Sequence, residues 1–185
     1  MKEVSVLVGA GSIGQAIIRR VSAGKHVVLA DYSEENANRA AKTLENAGFE
    51  CSTIRCDLGN KEDILALVAF ATSKGEVKYL VNAAGVSPSQ APVEEILRVD
   101  LYGTSVLMEE FGKVMADGGS GIIISSQSGH RLPARRAGTP DEVGDLAEFL
   151  MSSRGRFISG ADFLIDGGCT ASYWYGDLQY LKATH

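Results

Sequence analysis

A chain of 185 residues with 18 basic and 23 acidic side chains, a net charge of −5 and 45% hydrophobic residues has the size and core-forming content of one folded domain. The acidic balance excludes nucleic acid as a partner, because the densest basic cluster, Arg131, Arg135 and Arg136, is too local to offset repulsion of a phosphate backbone. No apolar run approaches the roughly 20 residues that span a bilayer, the opening has no signal-peptide layout, and Cys51, Cys56 and Cys169 form neither an even set nor a CxxC; these features predict a cytoplasmic protein with reduced thiols, no membrane partner and no metal site.

Val4 to Val8 is a short apolar, β-branched run, as expected of a central parallel strand covered on both faces. A glycine turn follows, and Ile13, Ala16, Ile17 and Val21 then recur at helical spacing. The pattern repeats with a strand over His26 to Ala30, followed by a helix capped by Ser33, opened by Glu34 and Glu35 and stopped by Gly48. A third strand over Cys51 to Cys56, a third helix over Lys61 to Ser73 and a fourth strand over Val77 to Asn82 continue the alternation.

Glu94 to Met115 carries one long helical pattern, and Gly121 to Ser125, with three consecutive isoleucines, reads as the most buried strand. Thr139 as N-cap, Pro140 at the first helical position and Asp141 and Glu142 in the first turn predict a helix to Ser152. Phe163 to Ile165 is expected to close the sheet. Alternating strands and helices specify an α/β fold, a Rossmann-type doubly wound parallel sheet in three αβα layers and a single domain. A ligand is then expected beyond the carboxyl ends of the strands, near the point where strand order reverses.

Gly9-Ala10-Gly11-Ser12-Ile13-Gly14 has the G-x-G-x-x-G spacing. Roughly one chain in four of this length and glycine content would show that spacing by chance, so its place between a buried strand and an amphipathic helix carries the meaning. There the turn can receive a pyrophosphate, which makes Gly9, Gly11, Ser12, Ile13 and Gly14 candidate cofactor-binding residues. Asp31 ends the second strand about 20 residues on, where a carboxylate accepts from an adenosine ribose. It would repel a 2′-phosphate, and no basic residue lies in the glycine turn or directly after Asp31, so NAD is favoured over NADP.

From here the chain resembles the short-chain dehydrogenase/reductase family, through motifs in family order over nearly its whole length. Asp57-Leu58 is similar to the pair whose carboxylate faces the adenine amino group, and Asn82-Ala83-Ala84-Gly85 to the family's Asn-Asn-Ala-Gly. Ile124-Ser125-Ser126-Gln127-Ser128-Gly129 is similar to Ile-Ser-Ser-x-x-Gly, which implies that Ser126 hydrogen-bonds the substrate oxygen. Arg136 to Glu142 resembles Arg-x-Gly-x-Pro-x-Glu, and Ile158 to Gly168 resembles the terminal block that ends in Asp-Gly-Gly. That ending belongs to the short branch of the superfamily and argues against its larger epimerase and dehydratase branch.

The departures are specific. The glycine turn is one residue shorter than the family's Gly-x-x-x-Gly-x-Gly, and Asp100 stands where a helix asparagine supports a proton-relay water, a water that an aspartate can also hold. The family's acid/base pair is Tyr-x-x-x-Lys, and no tyrosine here has a lysine four residues later. Only His130 to Arg135 separates the serine motif from the Arg-x-Gly-x-Pro block, too short for the family's Tyr/Lys helix and the strand after it. The simplest reading is a single NAD-binding domain, residues 1–185, with several tens of residues missing near Pro133 and Ala134. The alternative is a genuine internal deletion.

The resemblance implies an oxidoreductase that interconverts a secondary alcohol and a ketone with NAD(H). Ser126 and Asp100 would be its catalytic candidates, and a tyrosine of the absent segment its acid/base. The other reading is a non-catalytic NAD-binding or scaffolding protein. The family's habit implies a homo-dimer or homo-tetramer; Tyr173, Trp174, Tyr175 and Tyr180 near the end are expected at an oligomer contact or in a substrate-pocket wall, with the subunit interface favoured. His130 is read as a surface residue. The substrate is a small-molecule alcohol or ketone that the motifs do not specify.

Overall fold

The computed structural model describes residues 2–125, 136 and 138–176. Five strands, β1 (Glu3–Val8), β2 (His26–Asp31), β3 (Glu50–Arg55), β4 (Glu76–Asn82) and β5 (Met115–Ile123), form one parallel sheet in the order β3-β2-β1-β4-β5. β1 is central and covered on both faces: Val4, Val6 and Val8 join one core cluster and Leu7 the other.

α3 (Lys61–Lys74) and α5 (Thr104–Gly112) cover the first face with Ile64, Leu67, Leu107 and Phe111. α1 (Ser12–Val21), α2 (Glu34–Asn46) and α6 (Pro140–Met151) cover the second with Ile17, Ile18, Leu44, Ala147 and Met151. The strand order reverses between β1 and β4, so the turns after these strands open on the crevice where doubly wound sheets bind ligands.

Local chemistry sets the helix starts. The Ser33 hydroxyl accepts from the Asn36 N–H, Asn60 Oδ1 accepts from Glu62 and Asp63, and Thr139 forms a capping box with Glu142 behind Pro140. Gly48, at φ +90°, follows the end of α2 as the sequence predicts. Arg20 of α1 docks α6, with Nε donating to Asp145 and Nη2 to Asp141 at 2.9 Å each, its guanidinium lying over Gly144.

Four expectations are corrected. The helix expected over Glu94 to Met115 is α over α4 (Val93–Ile96), widens to a π turn over Leu97–Gly103, and returns to α in α5, which stops at Gly112 because the chain must enter β5. In the π turn Gly103 presses against the Leu58 carbonyl, where a Cβ would stand 2.0 Å from the oxygen. β5 starts at Met115 and is not the most buried strand; it is half-exposed, because it forms the edge of the described sheet.

Phe163 to Ile165 is not a strand: all three side chains are exposed, and no described strand lies beyond β5 for it to pair with. A terminal helix the sequence did not suggest, α7 (Cys169–Tyr175), follows instead. Asp166 precedes it and accepts from the Gly168 and Thr170 backbone N–H groups; hydrogen bonding at Thr170 holds the Asp166 carboxyl below its ordinary range. Among the described residues no helix is long and apolar enough to cross a membrane.

Candidate functional site

The turn after β1 is shaped by what its glycines touch. Gly9 adopts φ +85°, donates its N–H to the Ala30 carbonyl at 2.8 Å, and lies so close to the turn after β4 that a Cβ would stand 2.4 Å from Ala84 N. Gly14 packs α1 onto β1, with Leu7 Cδ1 2.7 Å from where its Cβ would be. Gly11 is the opposite case: it is exposed, and a Cβ added there would meet nothing within 4 Å. It is the N-cap of α1 and provides no side chain, and the first-turn N–H groups of Ser12, Ile13 and Gly14 that follow it have no partner within the helix. A crowded Gly9 and Gly14 around an open Gly11 make a cradle that fits a pyrophosphate.

Asp31 ends β2 beside this turn. Its Oδ2 accepts from the Ala10 N–H and its Oδ1 from the Ser33 N–H, both at 2.9 Å, so one carboxylate ties the glycine turn to the start of α2. Each oxygen keeps a lone pair for a hydroxyl. Beside it are two residues the sequence argument missed. Tyr32 is 67% exposed, and the Arg55 guanidinium lies 5.1 Å from its ring centroid. The signal was available in strand register, since Arg55 is the β3 partner of Asp31. Arg55 is already engaged, donating from Nη1 to Asp63 Oδ2 at 3.0 Å.

After β3, Asp57 Oδ1 accepts from the Gly59 N–H at 2.9 Å while Oδ2 faces the Arg98 guanidinium at 3.4 Å. Leu58 is buried in the core beneath Gly103. Asn82, 1% exposed, donates from Nδ2 to Thr104 and accepts at Oδ1 from the Ala84 N–H, so its amide holds the Ala83-Ala84-Gly85 turn in place. Ala83 N donates to the Val8 carbonyl and Ile124 N to the Asn82 carbonyl, each at 2.8 Å, which aligns the ends of β1, β4 and β5.

Asp100 lies in the π turn, is exposed, and accepts at Oδ1 from the Val86 N–H at 2.9 Å, beside Gly85. The glycine turn, Asp31, Asp57, the Asn82 turn and Asp100 are therefore all carried at the carboxyl end of the sheet. Ser126 lies outside the described residues, as do His130, Arg131, Pro133, Ala134, Arg135 and Tyr180. Of the terminal aromatics, Tyr175 is 86% exposed.

Away from this end, burial pushes the Cys51 thiol up to about 11 and the Cys56 thiol to about 12, with neighbouring carboxylates adding to both, so neither is a ready nucleophile. Among the described residues no group of three or more His, Cys, Asp or Glu side chains could hold a metal ion.

The sequence model of a family described as short chain dehydrogenase matches residues 2–137, and one described as enoyl-(acyl carrier protein) reductase matches residues 127–170. The chain is 37% identical over 127 residues to "Short-chain dehydrogenase/reductase bsc3" of Alternaria brassicicola, covering 69% of this chain and 46% of that protein. The chain spans about half the length of the curated relatives that it matches at 33–37% identity.

A further relative, the cis-4-hydroxycyclohexanecarboxylate dehydrogenase of Sinomonas cyclohexanicum, is 24% identical over 243 aligned positions, covering 92% of this chain and 97% of that protein. Since 92% of 185 residues is about 170, some 70 positions of that alignment have no residue of this chain opposite them. Among solved structures, a blue fluorescent protein from a metagenomic library, in complex with NADPH, superposes with a TM-score of 0.76 at 20% identity, covering 90% of this chain and 97% of that one.

Proposed function

The chain belongs to the short-chain dehydrogenase family, and from that premise we propose that it binds NAD(H) at the Gly9 to Gly14 turn and interconverts a secondary alcohol and a ketone. One observation carries the reading: Asp31 is fastened by two backbone N–H groups at the mouth of an open glycine cradle. A carboxylate so placed accepts from ribose hydroxyls and repels a 2′-phosphate. Because Arg55 is paired with Asp63, the charge of Asp31 governs, which favours NAD over NADP.

A bound nicotinamide dinucleotide supplies or receives the hydride. The chain's own residues position and exclude. The first-turn N–H groups at Ser12, Ile13 and Gly14 hold the pyrophosphate, Asp57 accepts from the adenine amino group, and the Asn82 turn shapes the floor of the crevice. Ser126 orients the substrate oxygen, and Asp100, with one carboxylate oxygen engaged at Val86, holds a relay water with the other.

The acid/base pair belongs to a segment proposed to interrupt the domain near Pro133 and Ala134, in support of which stand the roughly 70 unmatched positions of the Sinomonas dehydrogenase. The active protein is proposed to be a cytoplasmic homo-dimer or homo-tetramer. The names borne by the relatives favour this oxidoreductase over a non-catalytic binder.

Calorimetric titration tests the cofactor site. The protein is expected to prefer NAD to NADP, and Asp31→Ala to weaken NAD about tenfold or more while narrowing that preference, because a hydrogen bond to a charged group is worth about 1.5–3 kcal/mol. Unchanged affinities for both dinucleotides would remove Asp31 from the site. An intact mass of the native protein several kilodaltons above 19.6 kDa, with a Tyr-x-x-x-Lys peptide between Pro133 and Ala134, supports the dehydrogenase. A mass of 19.6 kDa leaves a nucleotide-binding protein without the pair.

A further inference from the structure

We infer that Arg98 is a positioning residue for adenine recognition and that Gly59 is the seat that admits it; the inference rests on the reading of Asp57 as the adenine-facing carboxylate. Arg98 projects from the π turn to the end of β3, a separation of 41 residues in sequence. Glu95, one turn before it, anchors the guanidinium by accepting from Nε at 2.9 Å and from Nη2 at 2.6 Å. The same fork then turns Nη1 and Nη2 toward Asp57 Oδ2, each at 3.4 Å.

With Oδ1 held by the Gly59 N–H, both oxygens of Asp57 are restrained, and its side chain has one orientation before any ligand arrives. A free carboxylate would have to be ordered on binding, a cost that corresponds to about three- to tenfold in affinity. Gly59 makes the arrangement possible. A Cβ at that position would stand 2.1 Å from Arg98 Nη1 and 2.3 Å from Cζ, so the guanidinium lies flat on the space a side chain would fill. Gly59 is not among the positive-φ glycines, and the group it would meet is the far end of a flexible side chain, so an alanine there evicts Arg98 without straining the backbone.

Two variants, Arg98→Met and Gly59→Ala, therefore remove the same restraint by different routes. The experiment titrates each, and the wild type, with NAD and with nicotinamide hypoxanthine dinucleotide, which carries a carbonyl where adenine carries its amino group. Far-UV circular dichroism verifies folding, and Gly59→Ala keeps the test intact should Arg98→Met fail to fold. The wild type is expected to prefer NAD. Both variants are expected to lose about three- to tenfold in NAD affinity while binding of the hypoxanthine analogue stays level, so that the preference collapses. A merely structural role would weaken both ligands alike and leave the ratio where it was. An unchanged ratio in folded Gly59→Ala, beside a discriminating wild type, overturns the role of Arg98 and leaves the Asp57 reading standing. A wild type that binds both dinucleotides equally, or neither, overturns the Asp57 reading and this inference with it.

Discussion

Gly9 and Gly11 stand two residues apart in one turn, and the structure assigns opposite consequences to the same substitution. In Gly9→Ala the new methyl meets backbone, at 2.4 Å from Ala84 N and 2.6 Å from the Ala83 carbonyl carbon, at a φ of +85°. Left-handed backbone costs a non-glycine residue about 1–2 kcal/mol and overpacking about 1–3, so the loss is about 2–5 kcal/mol, or roughly 5–15 °C in Tm for a domain of this size. In Gly11→Ala the methyl meets nothing within 4 Å, and φ is −73°. Folding should change by no more than about 1 kcal/mol, the difference between glycine and alanine at an N-cap. The methyl does occupy the approach to the first-turn N–H groups, where about 1–3 kcal/mol of crowding translates into a ten- to hundredfold loss of NAD affinity. Differential scanning calorimetry and isothermal titration of both variants read the two effects separately. A Gly11→Ala protein that binds NAD like the wild type would refute the cradle, and a Gly9→Ala protein as stable as the wild type would refute the packing argument.

Three further outcomes are expected. Ser126→Ala should cut turnover about 10²-fold or more if its hydroxyl orients the reacting oxygen, and wild-type rates would exclude it. Arg136, and after it the Thr139 N–H, holds the Glu142 carboxyl down to about 2 from an ordinary 4.5, so the contribution of this carboxylate to the start of α6 is full above about pH 4.5 and is lost as pH falls toward 2. Glu142→Gln should flatten that acid limb in circular-dichroism melts, and an identical acid profile would count against the capping role. Ser5 is fully buried with its hydroxyl unpartnered, so Ser5→Ala should gain about 1 kcal/mol, seen as about 2–4 °C in Tm. A clear loss of stability would show that the hydroxyl is in use.

The strands of the first half were legible because their apolar runs and glycine stops leave little choice of element or face, and the caps at Ser33 and Thr139 could be read directly from local residues. What escaped depends on distance. Arg55 stands opposite Asp31 through strand register, and Arg98 meets Asp57 across 41 residues; neither relation has a local period. The π turn escaped because the apolar spacing around Leu97, Leu101 and Tyr102 fits an ordinary helix, while the widening appears only where Gly103 meets the Leu58 carbonyl. Ile122 to Ile124 looked like the deepest strand because hydrophobicity reports the wish for cover and not the neighbour that supplies it. The same reasoning failed at Phe163 to Ile165, where the residues of a closing strand are present and exposed.

The π turn at Leu97–Gly103 is in effect an α-helix with one residue to spare. Deleting a single residue inside it would restore regular winding and swing everything upstream by about 100° about the helix axis. Glu95 would turn with it, and the guanidinium it anchors would leave the end of β3. If Asp57 faces adenine as proposed, a one-codon loss far from the glycine turn would then retune adenine selectivity without altering any residue proposed to touch the nucleotide, and length along this segment would count toward specificity as much as composition.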